Sequence, residues 1–254
     1  MKIFDAFERI VVINLRERTD RRREVEAELR RAGIGAGDPR LRFFAGIRPA
    51  DAGPFPSVGA RGCFESHLGV IGEALRDRLA SVLVLEDDLL LHPAACVAQP
   101  ALAGRLAQGQ WDFAYPGHTL PPGDPDGAVR WQETRRPLVC AHFYGLHRRV
   151  LADLRDYLED CRRRPPGHPD GGPMHVDGAY SMFRGRNPAV VTLVASPSLG
   201  GQRSSRSDIT ANRWFDRQPG VRLLAGLARK GKNLWRTTTI AAASTRPPED
   251  LRHE

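Results

Sequence analysis

The sequence predicts one α/β domain, in which helices pack against a central sheet, followed by a short basic tail. The chain has 254 residues, 41% of them hydrophobic, which is enough for one substantial core. Residues 9–15 form a short β-branched run typical of a buried strand, and a segment with helical periodicity follows it. Residues 81–85 form a second compact apolar run after another helical segment. Strands that alternate with helices are the pattern of an α/β sheet.

The first strand and helix indicate where a site would lie. The strand over residues 9–15 contains the polar Asn14 near its end, so we expect a site at its carboxyl end. Asp20 is placed to cap the next helix, and Gly33 is placed to end it. The apolar stripe of this helix consists of Val25, Leu29 and Ala32.

Three arginines occupy the first turn of that helix. Arg21, Arg22 and Arg23 lie where the helix macrodipole is positive, which costs a few tenths to about 1 kcal/mol per charge. A nearby anion would remove this cost. Alternatively, the long side chains bend back into water, where their charges are screened. The sequence supports the two interpretations equally.

Periodicity and loop signals define the remaining elements. An apolar stripe at helical spacing predicts a helix over residues 63–79. A second helix is expected over 147–157, and the strands expected besides the first are 41–45, 81–85, 111–115, 138–146 and 190–195. The irregular segments are 49–62, 197–208 and 162–173, the last of which we expect to be a mobile loop beside the site.

The abrupt end of the strand over residues 81–85 is the sharpest chemical signal. Glu86, Asp87 and Asp88 follow it directly. Alternate residues of an extended segment face the same way, so we expect Glu86 and Asp88 to point together into a crevice. Adjacent carboxylates repel one another unless they share a cation, and Mg²⁺ or Mn²⁺ would suit such oxygen ligands. The alternative is an acidic surface turn that caps the next helix.

Four short segments occur in the order known from one enzyme family. They are Val12-Ile13-Asn14-Leu15 with Arg18, Asp20 and Arg21; Gly62-Cys63 with Ser66-His67; Leu85-Glu86-Asp87-Asp88; and Gln202 with Ser207-Asp208-Ile209. In these segments, which span residues 10–209, the chain resembles the family 25 glycosyltransferases. This family includes bacterial lipooligosaccharide galactosyltransferases and collagen galactosyltransferase-like proteins.

The resemblance implies a GT-A-like fold with a mixed central sheet flanked by helices. It also implies a nucleotide-diphosphate sugar as donor and a divalent metal, Mn²⁺ or Mg²⁺. In this scheme Asp88 ligates the metal, and Glu86 is a second ligand or holds the ribose or a metal-bound water. The other residues that we expect at the donor are Asn14, Arg18, Arg21, Ser66, His67, Asp87 and Gln202.

An inverting transfer needs a general base to deprotonate the acceptor hydroxyl. Asp177, which follows the expected loop over residues 162–173, is the leading candidate, although it could equally cap a helix that starts at Gly178. Asp208 is the reserve candidate. Arg203 and Arg206 precede it and could contact the diphosphate from a loop that closes on the donor.

Two histidines have both a structural and a functional interpretation. His67 lies on the predicted helix over residues 63–79, where it is either a half-buried histidine bonded to backbone or a residue that contacts the ligand. The family resemblance favours the second. His118 follows the strand expected over residues 111–115 and has a similar position with weaker support.

The charge of the chain suggests an anionic partner. Lys and Arg number 38 against 30 acidic residues, which gives a formal net charge of +8. Aromatic residues are 7% of the chain and do not interleave with basic residues, so nucleic acid is not the expected partner. The sequence contains no GxxxxGK[ST] phosphate loop, and its glycine cluster over residues 33–37 follows a helix rather than a strand.

The four cysteines and the hydropathy indicate the compartment. Cys63, Cys96, Cys140 and Cys161 form no CxxC pair, so we expect neither a zinc cage nor a disulfide framework. The longest apolar runs are shorter than the roughly 18 residues that a membrane span needs, and we expect a cytoplasmic protein.

The last part of the chain is expected to form a separate tail. We place the catalytic domain at residues 1–212 and the basic tail at 213–254, with an amphipathic helix over 221–235. This helix would either contact an anionic membrane beside lipid-linked acceptors or pack its leucines on the core.

Together these features predict an enzyme that transfers a hexose, galactose or a similar sugar, from a UDP-linked donor to a hydroxyl of a glycan acceptor. Inversion and a place in surface polysaccharide or lipooligosaccharide biosynthesis are what the family resemblance implies. The alternative is a catalytically degenerate protein that binds a nucleotide sugar without turnover.

Overall fold

A seven-stranded mixed sheet is the centre of the computed structural model, which describes residues 1–121 and 128–203. The strands are β1 Arg9–Asn14, β2 Leu41–Ala45, β3 Ser81–Glu86, β4 Leu89–Leu91, β5 Phe113–Tyr115, β6 Arg130–Glu133, β7 Phe143–His147, β8 Thr192–Ser196 and β9 Gly200–Gln202. The helices are α1 Thr19–Arg31, α2 Val58–Arg76, α3 Pro100–Ala107, α4 Arg148–Arg163 and α5 Val176–Arg186. Short 3-10 turns cover Ile3–Ala6 and Pro93–Cys96.

The strand order explains why a site forms at one edge of the sheet. The order is β2-β1-β3-β7-β5-β8-β6, with β4 and β9 in a separate antiparallel pair. Strands β2, β1 and β3 are parallel neighbours, and β7 then runs antiparallel to β3. The three parallel strands therefore end side by side, with Asn14 opposite Ala45 and Ile13 opposite Glu86. Ligand sites of α/β sheets lie at such carboxyl ends.

Helices cover both faces of the sheet, and this gives two apolar layers. Alternate residues of β3 belong to different layers: Val82 and Val84 to one, and Leu83 and Leu85 to the other. The first layer includes α2, α4 and α5, and the second includes α1 and α3. A strand buried on both faces reads as a continuous apolar run, which is the pattern of β1 and β3.

The predicted fold class, an α/β protein with a mixed central sheet flanked by helices, is confirmed. Strand β2 has the predicted bounds, and β1 and β3 differ from the prediction by one residue. The predictions for β5, β7 and β8 were less accurate, since the strands are Phe113–Tyr115, Phe143–His147 and Thr192–Ser196.

Two helices are longer than predicted. Helix α2 begins at Val58 rather than at residue 63, because Ser57 Oγ accepts a 3.0 Å hydrogen bond from the backbone N–H of Ala60 and caps the helix within the expected loop. Helix α4 continues to Arg163, so the first residues of the loop predicted over 162–173 are helical.

The start of helix α1 corrects one prediction. Asp20 does not cap the helix: Arg18 is the N-cap residue, with no side-chain cap, and Asp20 lies in the first turn, where it pairs with Arg18. This pairing, led by the side-chain hydrogen bond from Arg18, lowers the pKa of Asp20 to about 2. Gly33 ends the helix as predicted, with a φ of +87° that favours glycine.

Several predictions fall on residues that the structure does not describe. Asp208, Arg206, the segment over 207–209, the domain boundary at 212 and the basic tail with its helix over 221–235 lie outside the described residues. Within residues 1–121 and 128–203, none of the helices has the length and apolar character needed to cross a bilayer.

Candidate active site

A cavity of about 310 Å³ opens where the parallel strands β1, β2 and β3 end. Its lining comprises Ile13, Leu15, Arg21, Gly46, Ile47, Arg48, Pro49, Val58, Gly59, Gly62, Cys63, Ser66, His67, Glu86, Asp87, Asp88 and Gln202. The apolar residues include Ile47 and Val58, which are 40% and 39% exposed. The three acids at the end of β3 contribute negatively charged carboxylates to the same lining. The cavity thus combines an apolar surface with an acidic group.

The three consecutive acids have three different environments. Glu86 is the last residue of β3, and its Oε1 lies 3.3 Å from His67 Nε2 and 3.6 Å from Cys63 Sγ. Its Oε2 accepts a 3.1 Å hydrogen bond from Gln202 Nε2. Burial opposes ionisation of Glu86, but the hydrogen bond and charge of His67 lower its pKa overall. Glu86 is therefore an ionised carboxylate in this network.

Asp87 is held by residues of β1 and α1. Its carboxylate accepts hydrogen bonds from Asn14 Nδ2 at 2.8 Å and from Arg21 Nη1 at 2.9 Å. Burial raises the pKa of Asp87 in spite of the charge of Arg21. The first-turn arginine thus has a nearby anion, as one interpretation required, and that anion belongs to the protein. The neighbouring Arg22 has other partners: it pairs with Glu26 and lies over the ring of Phe43.

Asp88 is the acid whose charge is least compensated. Its Oδ1 is buried and has no hydrogen-bond partner within the described residues. Burial, together with the charge of Glu86, raises the pKa of Asp88 to about 7. A carboxylate in this position favours the arrival of a cation. Asp88 thus lines the cavity with a carboxylate that has one oxygen without a partner among the described residues.

The predicted reason for the joint orientation of Glu86 and Asp88 is wrong. The strand ends at Glu86, and the chain turns through Asp87 and Asp88 before β4 begins at Leu89. Strand alternation therefore does not apply to the pair. Glu86 and Asp88 both line the cavity because the turn returns the chain to it.

Ser66 and His67 both line the cavity, but their side chains have partners within the protein. Ser66 Oγ donates to the carbonyl of Gly62 at 2.6 Å and accepts from the N–H of Ile47 at 2.8 Å, which joins the loop after β2 to α2. His67 is fully buried, and its Nδ1 lies 2.7 Å from the hydroxyl of Tyr144. The interpretation of His67 as half-buried and bonded to backbone is wrong, because both its nitrogens contact side chains.

The other residues predicted at the donor are only partly assembled. Gln202 lines the cavity through its bond to Glu86, whereas Asn14, Arg18 and Arg203 are outside the lining. The backbone N–H of Arg203 donates to the carbonyl of Asp88 at 2.6 Å, and its guanidinium pairs with Glu24. Arg203 therefore stabilises the acidic turn from outside the cavity lining.

The candidate base and the loop before it lie outside the lining of this cavity. Asp177 is in the first turn of α5, where its Oδ1 accepts a 2.8 Å hydrogen bond from the N–H of Gly178. Its charge nonetheless acts on two nearby thiols. Burial is the larger cause of the raised pKa of Cys63 and of Cys140, and the charge of Asp177 adds to it. None of the described residues of the predicted loop over 162–173 lines the cavity.

His118 has no capacity left for a ligand in this structure. Its Nε2 lies 2.6 Å from the carbonyl of Ala195, and its Nδ1 accepts from the N–H of Leu120 at 3.1 Å. Burial lowers the pKa of His118. This histidine joins the loop after β5 to the end of β8.

Cys63 lies in the site, although the absence of a CxxC pair predicted no metal role for the cysteines. The four cysteines are free thiols, as expected, but the ligand atoms of Cys63, His67 and Glu86 all lie within 4.8 Å of one another. Burial raises the pKa of the Cys63 thiol well above its usual range, followed by the charge of Glu86. The spacing of Cys63 and His67 at i and i+4 on one helix was the available signal. Their meeting with Glu86 depends on tertiary packing.

The comparisons with known proteins identify the fold. No family model matches the sequence, and no curated protein does. Among 13 matching chains of solved structures is the crystal structure of a glycosyltransferase involved in the glycosylation of the major capsid of PBCV-1. The two chains are 14% identical with a TM-score of 0.50, and the match covers 78% of this chain and 93% of the other. This chain therefore shares the fold of a solved glycosyltransferase, which is consistent with a GT-A-like architecture.

Proposed function

We propose that this protein is a glycosyltransferase that moves a hexose from a nucleotide-diphosphate sugar, UDP-linked, to a hydroxyl of a glycan acceptor. The observation that carries the proposal is Asp88, a carboxyl with a buried and unpartnered oxygen in the described residues, at the cavity beside the ends of parallel strands. The shared fold supports the same class of reaction. Galactose or a similar sugar as donor, and a surface polysaccharide or lipooligosaccharide as product, follow from the family 25 resemblance.

The cavity provides the surfaces that a nucleotide-diphosphate sugar requires. Ile47, Pro49 and Val58 offer an apolar surface against which a base could pack. Arg48, which is exposed and pairs with Glu17, provides a cation at the same rim that could reach the diphosphate. The acidic turn at the inner end would then lie near the sugar and the second phosphate.

The donor set fits a hard divalent cation. Asp88 has an oxygen without a partner among the described residues, and a carboxylate oxygen is the preferred ligand of Mg²⁺ and Mn²⁺. Asp88 would be the direct ligand, with Glu86 as a second ligand or an anchor for the ribose. When bound, such an ion neutralises charge on the departing diphosphate. Asp87 is less suited to this role, because Asn14 and Arg21 already donate to its two oxygens.

The chain's own residues would handle the acceptor proton. Asp177 remains the leading base, in the first turn of α5, and Asp208 the reserve candidate. Either would remove the proton of the acceptor hydroxyl as it attacks the anomeric carbon, with inversion. The basic tail over residues 213–254 would bring the enzyme to an anionic membrane surface at the cytoplasmic face, where lipid-linked acceptors are found.

Calorimetric titration tests this proposal. UDP and a panel of UDP-sugars would be added to the wild type and to Asp88→Asn, with Mn²⁺ present or absent. We expect metal-dependent donor binding in the wild type that is lost in Asp88→Asn and kept in Asp153→Asn, a matched change of an exposed acid outside the cavity lining. Failure of UDP and of other nucleoside diphosphates to bind under every metal condition would show that the proposal is wrong. Binding without sugar transfer to any acceptor would favour the degenerate binding protein.

A further inference from the structure

Three side chains that coordinate soft or borderline metals meet at the wall of the cavity. Cys63 and His67 are one helical turn apart on α2, so they share a face of that helix. Glu86 comes to them from the end of β3. All three line the cavity, and their ligand atoms lie within 4.8 Å of one another. This trio differs in chemistry from the lone carboxylate of Asp88, because it includes a thiol and an imidazole, although Glu86 borders both.

Two of the three separations match those of a tetrahedral metal site, and the third is within 4.8 Å. With Zn–S of about 2.3 Å and Zn–N or Zn–O of about 2.0–2.1 Å, ligand atoms in tetrahedral coordination lie about 3.3–3.6 Å apart. His67 Nε2 is 3.3 Å from Glu86 Oε1, and Cys63 Sγ is 3.6 Å from the same oxygen. These distances also suit hydrogen bonds, so the metal-free protein holds the trio together before any ion arrives.

The surroundings of His67 are those of a metal ligand. Its Nδ1 contacts the hydroxyl of Tyr144 at 2.7 Å, and that hydroxyl lies 2.9 Å from the hydroxyl of Tyr180. A metal-binding histidine usually donates its second N–H to a fixed partner, which orients the ring and leaves the other nitrogen for the ion. Tyr144 provides such a partner and directs Nε2 toward Glu86.

The donor atoms decide which ion would bind. Sulfur and imidazole nitrogen select zinc-class ions, whereas carboxylate oxygens alone suit Mg²⁺ and Mn²⁺. Glu86 Oε1 faces Cys63 and His67, and its Oε2 faces Gln202. Because the three ligands line an open cavity, a fourth position would be reached by water or by a ligand from that side.

We propose that Cys63 Sγ, His67 Nε2 and Glu86 Oε1 form a three-ligand site for a zinc-class divalent cation, with a fourth position open to the cavity. On binding, the Cys63 thiol proton leaves to solvent and its sulfur bonds the ion as a thiolate. The proton that His67 Nε2 shares with Glu86 Oε1 also leaves Nε2, to Nδ1 or to solvent, so that the bound histidine is neutral and donates its one proton from Nδ1 to Tyr144. The proposal rests on these contacts and does not depend on sugar transfer.

Cobalt titration of the full-length protein, freed of metal by a chelator, tests the site. Co²⁺ bound to a thiolate gives a sulfur-to-metal charge-transfer band that oxygen ligands do not produce. We expect this band in the wild type and in Cys96→Ser, the matched control in the 3-10 turn Pro93–Cys96. Cys63→Ser should lose the band, and its Co²⁺ affinity should fall by more than the roughly 10- to 100-fold expected for loss of an outer-shell partner.

Two further variants keep the outcome unambiguous. Glu86→Gln retains the shape of the side chain and should also weaken Co²⁺ binding. It therefore tests the site independently if Cys63→Ser loses the band only because it fails to fold. Asp88→Asn should keep the cobalt band while losing Mn²⁺ binding, which separates this site from the proposed donor site. Absence of the band in the wild type, or its survival in Cys63→Ser, would overturn the proposal and leave the test with UDP unaffected.

Discussion

Arg21 Nη1 donates a 2.9 Å hydrogen bond to Asp87 Oδ1, and this buried ion pair joins the first turn of α1 to the turn after β3. The side chains are 11% and 8% exposed, so solvent screens the pair little. Asn14 Nδ2 completes the group from the end of β1. The acidic turn at the cavity is therefore held by two neighbouring elements, and the orientation of Asp88 depends on them.

Replacement of Arg21 tests this relationship. Arg21→Met leaves the Asp87 carboxylate buried without its charge partner, and breaking a buried pair in this way costs about 3–5 kcal/mol. We expect a corresponding drop in the free energy of unfolding by urea. Arg23→Met, at an exposed arginine of the same turn, should stay within about 0.5 kcal/mol of the wild type. Equal losses of unfolding free energy in the two variants would show that the buried ion pair contributes no more to stability than the exposed Arg23.

Asp88 gives a prediction about pH. Burial and the charge of Glu86 raise the pKa of Asp88 to about 7, well above the usual range of an aspartate, so the folded protein binds a proton more tightly than the unfolded chain. Ionisation of Asp88 in the folded protein therefore lowers the free energy of unfolding as pH rises from about 4 to 7, by up to about 4 kcal/mol. In chelator, Asp88→Asn should exceed the wild type in melting temperature at pH 8, and the difference should shrink at pH 4. A constant difference across this range would contradict the prediction.

The sequence predicts the strands of the site well because their signal is local. Strands β1 and β3 are buried on both faces, so they appear as continuous apolar runs, and the acids that follow β3 mark its end. The start of α2 was missed because Ser57 lies in a segment rich in proline and glycine, where turn signals obscure a helix cap.

Partners of the site residues were not predictable, because they are far apart in the chain. Asp87 meets Arg21 across 66 positions, and His67 meets Tyr144 across 77. No periodicity records such contacts. The sequence therefore identifies Arg21, Asp87 and His67 as unusual without showing that Arg21 neutralises Asp87 or that Tyr144 orients His67. The different environments of Glu86, Asp87 and Asp88 have the same origin.

Gly62 gives a prediction about the cavity wall. A Cβ at this residue would lie 2.5 Å from the carbonyl oxygen of Ile47, so Gly62→Ala would push the loop after β2 away from α2. We expect a loss of about 1–3 kcal/mol in stability and weaker binding of UDP, since that loop lines the cavity.

Gly72 provides the matched control on the same helix. A Cβ there meets no atom within 4 Å, so Gly72→Ala should stabilise the protein by about 0.5–1 kcal/mol and leave UDP affinity unchanged. Urea unfolding and calorimetry measure both effects. If the two alanine variants behave alike, contact between the loop and α2 does not shape the cavity.

Asp177 is the residue on which the proposed proton transfer depends. Its carboxylate is in the first turn of α5, outside the cavity lining, and its charge acts on Cys63. If it is the base, Asp177→Asn should lower kcat by about 10²- to 10⁴-fold and leave the Kd of the donor unchanged, because the proton moves only during transfer. Asp153→Asn, at an exposed residue of α4, is the matched control. An unchanged kcat in Asp177→Asn, together with a loss in Asp208→Asn, would assign the base to Asp208.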